Sequence, residues 1–121
     1  MKLQLQGQRM RLRVDEAELA RLLAGEAIVN ATELGPGSRF SQSLRLHADA
    51  QPTLQATPDE WLVGLPEAAV RAYVQRLPCR EALEFALACE GNAAVSLHFE
   101  VDVRDSLQLR GARRSSGGGQ R

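Results

Sequence analysis

Between Lys2 and Gly25 the chain changes its hydrophobic period, and that change fixes three elements in succession. Lys2-Leu3-Gln4-Leu5-Gln6 alternates polar and apolar residues, and Arg9 to Val14 does so again with Met10, Leu12 and Val14 on the apolar side. Side chains of a strand alternate faces, so both runs read as half-buried strands. Gly7 between them suits the positive φ of a tight hairpin. At Asp15 the period becomes helical. Asp15 and Glu18 stand as a capping box, Val14 and Leu19 as a hydrophobic staple, and Leu19, Leu22 and Leu23 form an apolar stripe. Gly25 is placed to end the helix in a left-handed conformation.

The rest of the chain repeats this vocabulary. Ala27–Leu34 and Arg39–His47 flank the turn residues Gly35-Pro36-Gly37-Ser38 and predict a hairpin. Thr53–Ala56 and Glu60–Val63 bracket Pro58-Asp59 and predict another, with Trp61 anchoring the core or its edge. Pro66 and Glu67 open a second helix that carries Ala69, Val70, Tyr73, Val74 and Leu77 until Pro78. Residues 80–90 favour a helix by composition. However, Leu83, Phe85, Leu87 and Cys89 alternate, and a strand from Val95 to Val103 follows. A hairpin with a loop over Gly91–Ala93 would pair Cys89 with Val95, Leu87 with Leu97 and Phe85 with Phe99. That register also opposes Glu84 to Glu100, a like-charge pair. No internal repeat stands out.

At 121 residues, 44% apolar and 25% charged, the chain has the length and composition of one globular domain. The expected fold is α+β: a curled antiparallel sheet, or small open barrel, of about seven or eight strands with two helices. The domain is expected over 1–109 and a flexible basic tail over 110–121. No apolar run has membrane-spanning length and no signal peptide precedes the first strand, so the expected location is cytoplasmic, without a membrane partner. Two cysteines make a disulfide framework improbable. Formal charge sums to zero, but residues from Asp105 onward carry four arginines against one acid, leaving eleven basic and fourteen acidic groups before them. An acidic body argues against a dedicated nucleic-acid binder.

The opening segment also carries a resemblance. Residues 1–7, then Arg11-Leu12-Arg13-Val14, then Glu18 to Glu26, with Gly35-Pro36-Gly37 beyond, resemble a family of small bacterial proteins built on a domain of unknown function. The resemblance covers about the first third of the chain and implies a fold, not an activity. Relatives tend to carry a Lys-Asp-Phe-x-Cys type segment near the C-terminus, where this chain reads Val101-Asp102-Val103-Arg104-Asp105-Ser106.

No spacing in the sequence signals a metal site, a phosphate loop or a catalytic group, and no cofactor is expected. His47 and His98 fall on polar strand faces fifty-odd residues apart. Cys89 reads as a small buried hydrophobe and Cys79 as more exposed. Arg9, Arg11 and Arg13 form a stripe that, joined by Arg45, His47 and His98, makes the candidate ligand or phosphate surface. Aromatic platforms for base stacking are missing from that face. The leading expectation is a non-enzymatic binding or interaction protein, its partner another protein or a second copy of itself. The alternatives are a ligand binder or small enzyme using His47 and His98 in the mouth of a curled sheet, and a weak nucleic-acid binder through Arg9, Arg11 and Arg13.

Overall fold

The computed structural model describes residues 1–89 and 93–103. Their order is β1 (Lys2–Gln6), β2 (Arg9–Asp15), α1 (Glu16–Leu23), β3 (Ile28–Gly35), β4 (Ser38–His47), β5 (Thr53–Ala56), β6 (Glu60–Pro66), α2 (Glu67–Val74), β7 (Leu83–Ala88) and β8 (Ala94–Asp102). The class is α+β with eight strands and two helices among the described residues, as the sequence implies. The single curled antiparallel sheet is not what forms. The strands divide into sheet A, ordered β1-β2-β8-β7, and sheet B, ordered β3-β4-β6-β5, without closing a barrel. In each sheet the two outer pairs are antiparallel hairpins and the central pair, β2·β8 or β4·β6, is parallel. Sequence pattern reveals hairpins because their partners are adjacent. It does not reveal these central pairs, whose partners lie far apart. The segments expected at 104–109 and 110–121 lie outside the described residues.

The topology is an exchanged duplication. Adding 51 to the residue numbers carries Arg9–Asp15 onto Glu60–Pro66 and α1 onto α2. Arg9 to Asp15 pair in order with Ser96 to Asp102, and Glu60 to Pro66 pair in order with Ser41 to His47. Each half, residues 1–47 and 53–102, therefore gives one hairpin to each sheet. Its helix is the crossover: α1 takes the chain from sheet A to sheet B, and α2 brings it back. The repeat is one of geometry. Aligned side chains differ too much (Arg11 with Leu62, Arg13 with Gly64) for the sequence to show it.

The local signals of the first helix are realised. Asp15 accepts from the Glu18 amide at 2.7 Å, and the Asp15 amide donates to Glu18 Oε1 at 3.0 Å. At the other end Gly25 has φ 94°, and the Glu26 and Gly25 amides bond the Arg21 and Leu22 carbonyls, which is a Schellman motif. Leu22 and Leu19 turn into the core. Leu23, read from sequence as part of the same stripe, is only half-buried. The inward faces of both sheets and one side of each helix meet in a single core holding Leu12, Val14, Leu22, Leu44, Leu65, Val70, Tyr73 and Phe99. No helix among the described residues is long and apolar enough to cross a membrane.

Residues 83–88 form a strand rather than a helix. Its register corrects the expected one by two residues: Leu83 pairs with Phe99, Phe85 with Leu97 and Leu87 with Val95. The hairpin closes through the Cys89 amide on the Ala93 carbonyl. A shift of two preserves the faces. It also removes the Glu84–Glu100 clash, because Glu84 now stands opposite His98.

Candidate functional site

The arginine stripe lies on the outer face of sheet A, opposite the core side chains of β2. Registers across four strands define its rows: Lys2–Arg13–Glu100, then Gln4–Arg11–His98–Glu84, then Gln6–Arg9–Ser96–Ala86. Beyond the first row the same parity sets Asp15 beside Asp102, so four cations share the face with four carboxylates, Asp15, Glu84, Glu100 and Asp102. Glu100 lies between two of the cations: an Arg13 guanidinium nitrogen donates to Oε2 at 3.0 Å, and Arg11 Nε is 3.3 Å from Oε1, an ion pair without a hydrogen bond. The charge-assisted hydrogen bond orders Arg13, and the shared carboxylate offsets part of the charge of both arginines. Arg9 and Lys2 have no carboxylate within ion-pair distance among the described residues. An open depression of about 420 Å³ adjoins Arg9 and Arg11, lined otherwise by Gln4, Leu5 and Gln6.

His98 belongs to the same face but is buried, 6% exposed. Its Nε2 shares a hydrogen bond with Ser96 Oγ at 2.9 Å and lies 3.6 Å from Glu84 Oε1. Strand parity placed it correctly; its covering neighbours were not visible in parity.

Arg45 and His47 lie elsewhere, on the outer face of sheet B. They line a depression of about 220 Å³ with Thr53, Gln55, Leu62, Val63 and Gly64. The structure thus separates the six candidate residues into two groups, Arg9, Arg11, Arg13 and His98 on one sheet and Arg45 and His47 on the other. The two histidines are not brought to a common mouth.

The cysteines are both free and half-buried. Cys79 borders a cleft of about 290 Å³ with Arg13, Tyr73, Arg80 and Glu100. Burial pushes the Tyr73 phenol above its ordinary value, and the charges of Cys79 and Glu100 act in the same direction. Tyr73 donates to the Glu81 carbonyl at 3.0 Å and packs edge-on against Phe99. Among the described residues no group of three or more His, Cys, Asp or Glu side chains is gathered closely enough to hold a metal ion.

Sequence reasoning missed Glu100, Glu84 and Gly64. The first two were flagged only as a like-charge conflict. That conflict was itself the signal for the true register. Gly64 had no signal, since its role depends on a histidine from a neighbouring strand. No family model matches the chain, and neither the curated proteins nor the solved structures give a match.

Proposed function

We propose that the protein is a non-enzymatic binding module that docks an acidic surface of a partner protein on the outer face of sheet A. The observation that carries this reading is the charge arrangement of that face. Arg11 and Arg13 are paired with Glu100, while Arg9 and Lys2, on the side of the sheet formed by β1 and β2, are left without carboxylate partners among the described residues. A polar plane whose unpaired cations lie along one side, away from its carboxylates, suits a complementary charged surface, where such charges set orientation and association rate. The same arginines serve a nucleic-acid reading less well. The rows of this face present no Phe, Tyr or Trp for stacking. Kinship with the small bacterial proteins is likewise our proposal, supported by the residues that build β1, β2 and the caps of α1, and with it goes a cytoplasmic location.

The test compares the full chain with a variant carrying glutamine at Arg9, Arg11 and Arg13, immobilised and titrated with poly-L-glutamate and with single-stranded oligothymidine. Residues 104–121 are common to both proteins, so the difference isolates the sheet. Loss of polyglutamate binding in the variant is expected. Equal binding by both proteins would sink the reading, and tighter, arginine-dependent binding of the oligonucleotide would replace it with the nucleic-acid one.

A further inference from the structure

A strand at the edge of a sheet presents backbone N–H and C=O groups that another strand can pair, and folds blunt such edges with shortness, charge or cover. Three of the four edges here carry such a device. β1 has five residues and begins at Lys2, β5 has four residues, and β7 has six, includes Glu84 and touches β5. β3, the fourth edge, has eight residues, no proline, no lysine or arginine, and a single acid, Glu33. Its pairing with β4 is regular from Ile28 to Glu33 and becomes irregular only between Glu33 and Gly35. Val29 is 59% and Leu34 66% exposed, the two most exposed large apolar side chains among the described residues.

We propose that β3 pairs antiparallel with β3 of a second copy of the chain across a twofold axis, joining two copies of sheet B into one continuous sheet. Such an axis, normal to the sheet, sets each face beside the same face of the other copy, so a residue stands opposite residues of its own parity. Two registers use most of the strand: one pairs Val29–Gly35 about Thr32, the other Ile28–Leu34 about Ala31. The first draws the irregular end into the pairing and sets the two Glu33 carboxylates on a diagonal, about 8 Å apart. The second leaves that end at the rim and separates the carboxylates by about 14 Å, beyond the screening length of about 8 Å at physiological salt. Side-chain chemistry also fits the second. Ala31 meets Ala31, Val29 lies against the methylene stem of Glu33, and Asn30 stands opposite Thr32. Asn30 Nδ2 already donates to Gln42 Oε1 at 2.9 Å, which leaves its carbonyl oxygen to accept from the Thr32 hydroxyl of the second copy. A strand complementary to itself in this way argues for a second copy over a foreign peptide. The paired strip is about 24 Å long and about 10 Å thick, small against the ~1,600 Å² of a standard interface. The dimer is therefore weak and reversible, with a Kd on the order of 100 µM. β3 contributes nothing to the outer face of sheet A, so this association and the docking reading stand or fall independently.

The experiment is sedimentation velocity of the full chain from about 10 µM to 1 mM, a range that spans the expected Kd, with Val29→Lys and Val29→Glu as paired variants. In the Ala31 register each new lysine faces Glu33 of the other copy, and each new glutamate makes a like-charge pair there, twice per dimer. Val29→Lys should therefore dimerise about tenfold more tightly than Val29→Glu. The formal charge of the chain is zero, so the variants carry equal and opposite net charge and general repulsion does not separate them. Both lose the same exposed valine, and their melting temperatures at low concentration should agree. Hydrogen exchange of the wild type should slow within Ile28–Leu34 as concentration rises. A chain that stays monomeric at the highest concentration would overturn the proposal. So would equal dimerisation by the two variants, or protection gained elsewhere while β3 is unchanged.

Discussion

Replacing Glu100 by glutamine tests the electrostatics of sheet A at its centre. Glu100 is the only group that engages both Arg11 and Arg13 among the described residues, at 3.3 and 3.0 Å. The carboxylate side chain is 19% exposed and the arginines 39% and 40%, so both pairs are partly screened by water. Exposed pairs of this kind contribute about 0.2–1 kcal/mol each, and glutamine keeps one oxygen as an acceptor. The expected loss is about 1 kcal/mol, or roughly 3–5 °C in Tm for a domain of this size. Binding should move the other way. The substitution removes one negative charge and frees two cations, each worth on the order of 1 kcal/mol against a carboxylate at 4 Å in water. Affinity for polyglutamate should rise about tenfold. Circular dichroism melts and titration of the immobilised protein read the two quantities separately. A lower Tm with unchanged affinity would show that the ion pairs exist but the face does not dock anions. An unchanged Tm with unchanged affinity would deny the bridge itself.

Three further outcomes follow from the geometry. Leu22→Ala should cost about 2–5 kcal/mol, because the side chain is fully buried, whereas Leu23→Ala should cost about 1 kcal/mol or less; equal melting temperatures would refute the orientation of α1. The Tyr73 phenol is raised by burial, so the folded state holds its proton more tightly than the unfolded chain does. Its contribution is complete below the ordinary phenol value of about 10 and is lost as pH rises through the folded value. Denaturant titrations should therefore show stability falling above about pH 10, with a shallower fall in Tyr73→Phe than in the wild type. Separate chains 1–50 and 51–121 should each lack native ellipticity and regain it on equimolar mixing, since each sheet needs a hairpin from both halves. A cooperative melt by either fragment alone would contradict that interdependence.

The legibility of this fold divides by sequence distance. Caps, staples and turns act within a few residues, and the Asp15–Glu18 box, the Gly25 terminus and all four hairpins could be read from side-chain types alone. Trp61 was read as a core-edge anchor and stands half-buried, edge-on to Phe40 with ring centroids 5.2 Å apart. What escaped were relations between distant strands. Hydrophobic alternation fixes which face of a strand is apolar but not which strand lies beside it. The same alternation is satisfied by one curled antiparallel sheet and by two sheets with parallel centres.

The candidate site illustrates how charge can decide what alternation leaves open. For β7 and β8, two registers differing by two residues bury the same leucines and phenylalanines. One places Glu84 against Glu100, a like-charge pair. The other gives Glu84 to His98, while the contacts of Glu100 with Arg11 and Arg13 belong to the β2·β8 pairing and are the same in both. Apolar burial is nearly indifferent between them, so the partner of Glu84 on the outer face favours the observed register. The outer face of sheet A is in this sense both a determinant of the fold and the surface we propose for docking. Sheet B provides the comparison. Its parallel centre places Gly64, Leu62 and Ser43 where sheet A has Arg13, Arg11 and His98. The exchanged duplication therefore yields two outer faces of the same geometry and different chemistry. One is a lattice of arginines and carboxylates, and the other is notched at a glycine beneath an imidazole whose nitrogens have no partner among the described residues.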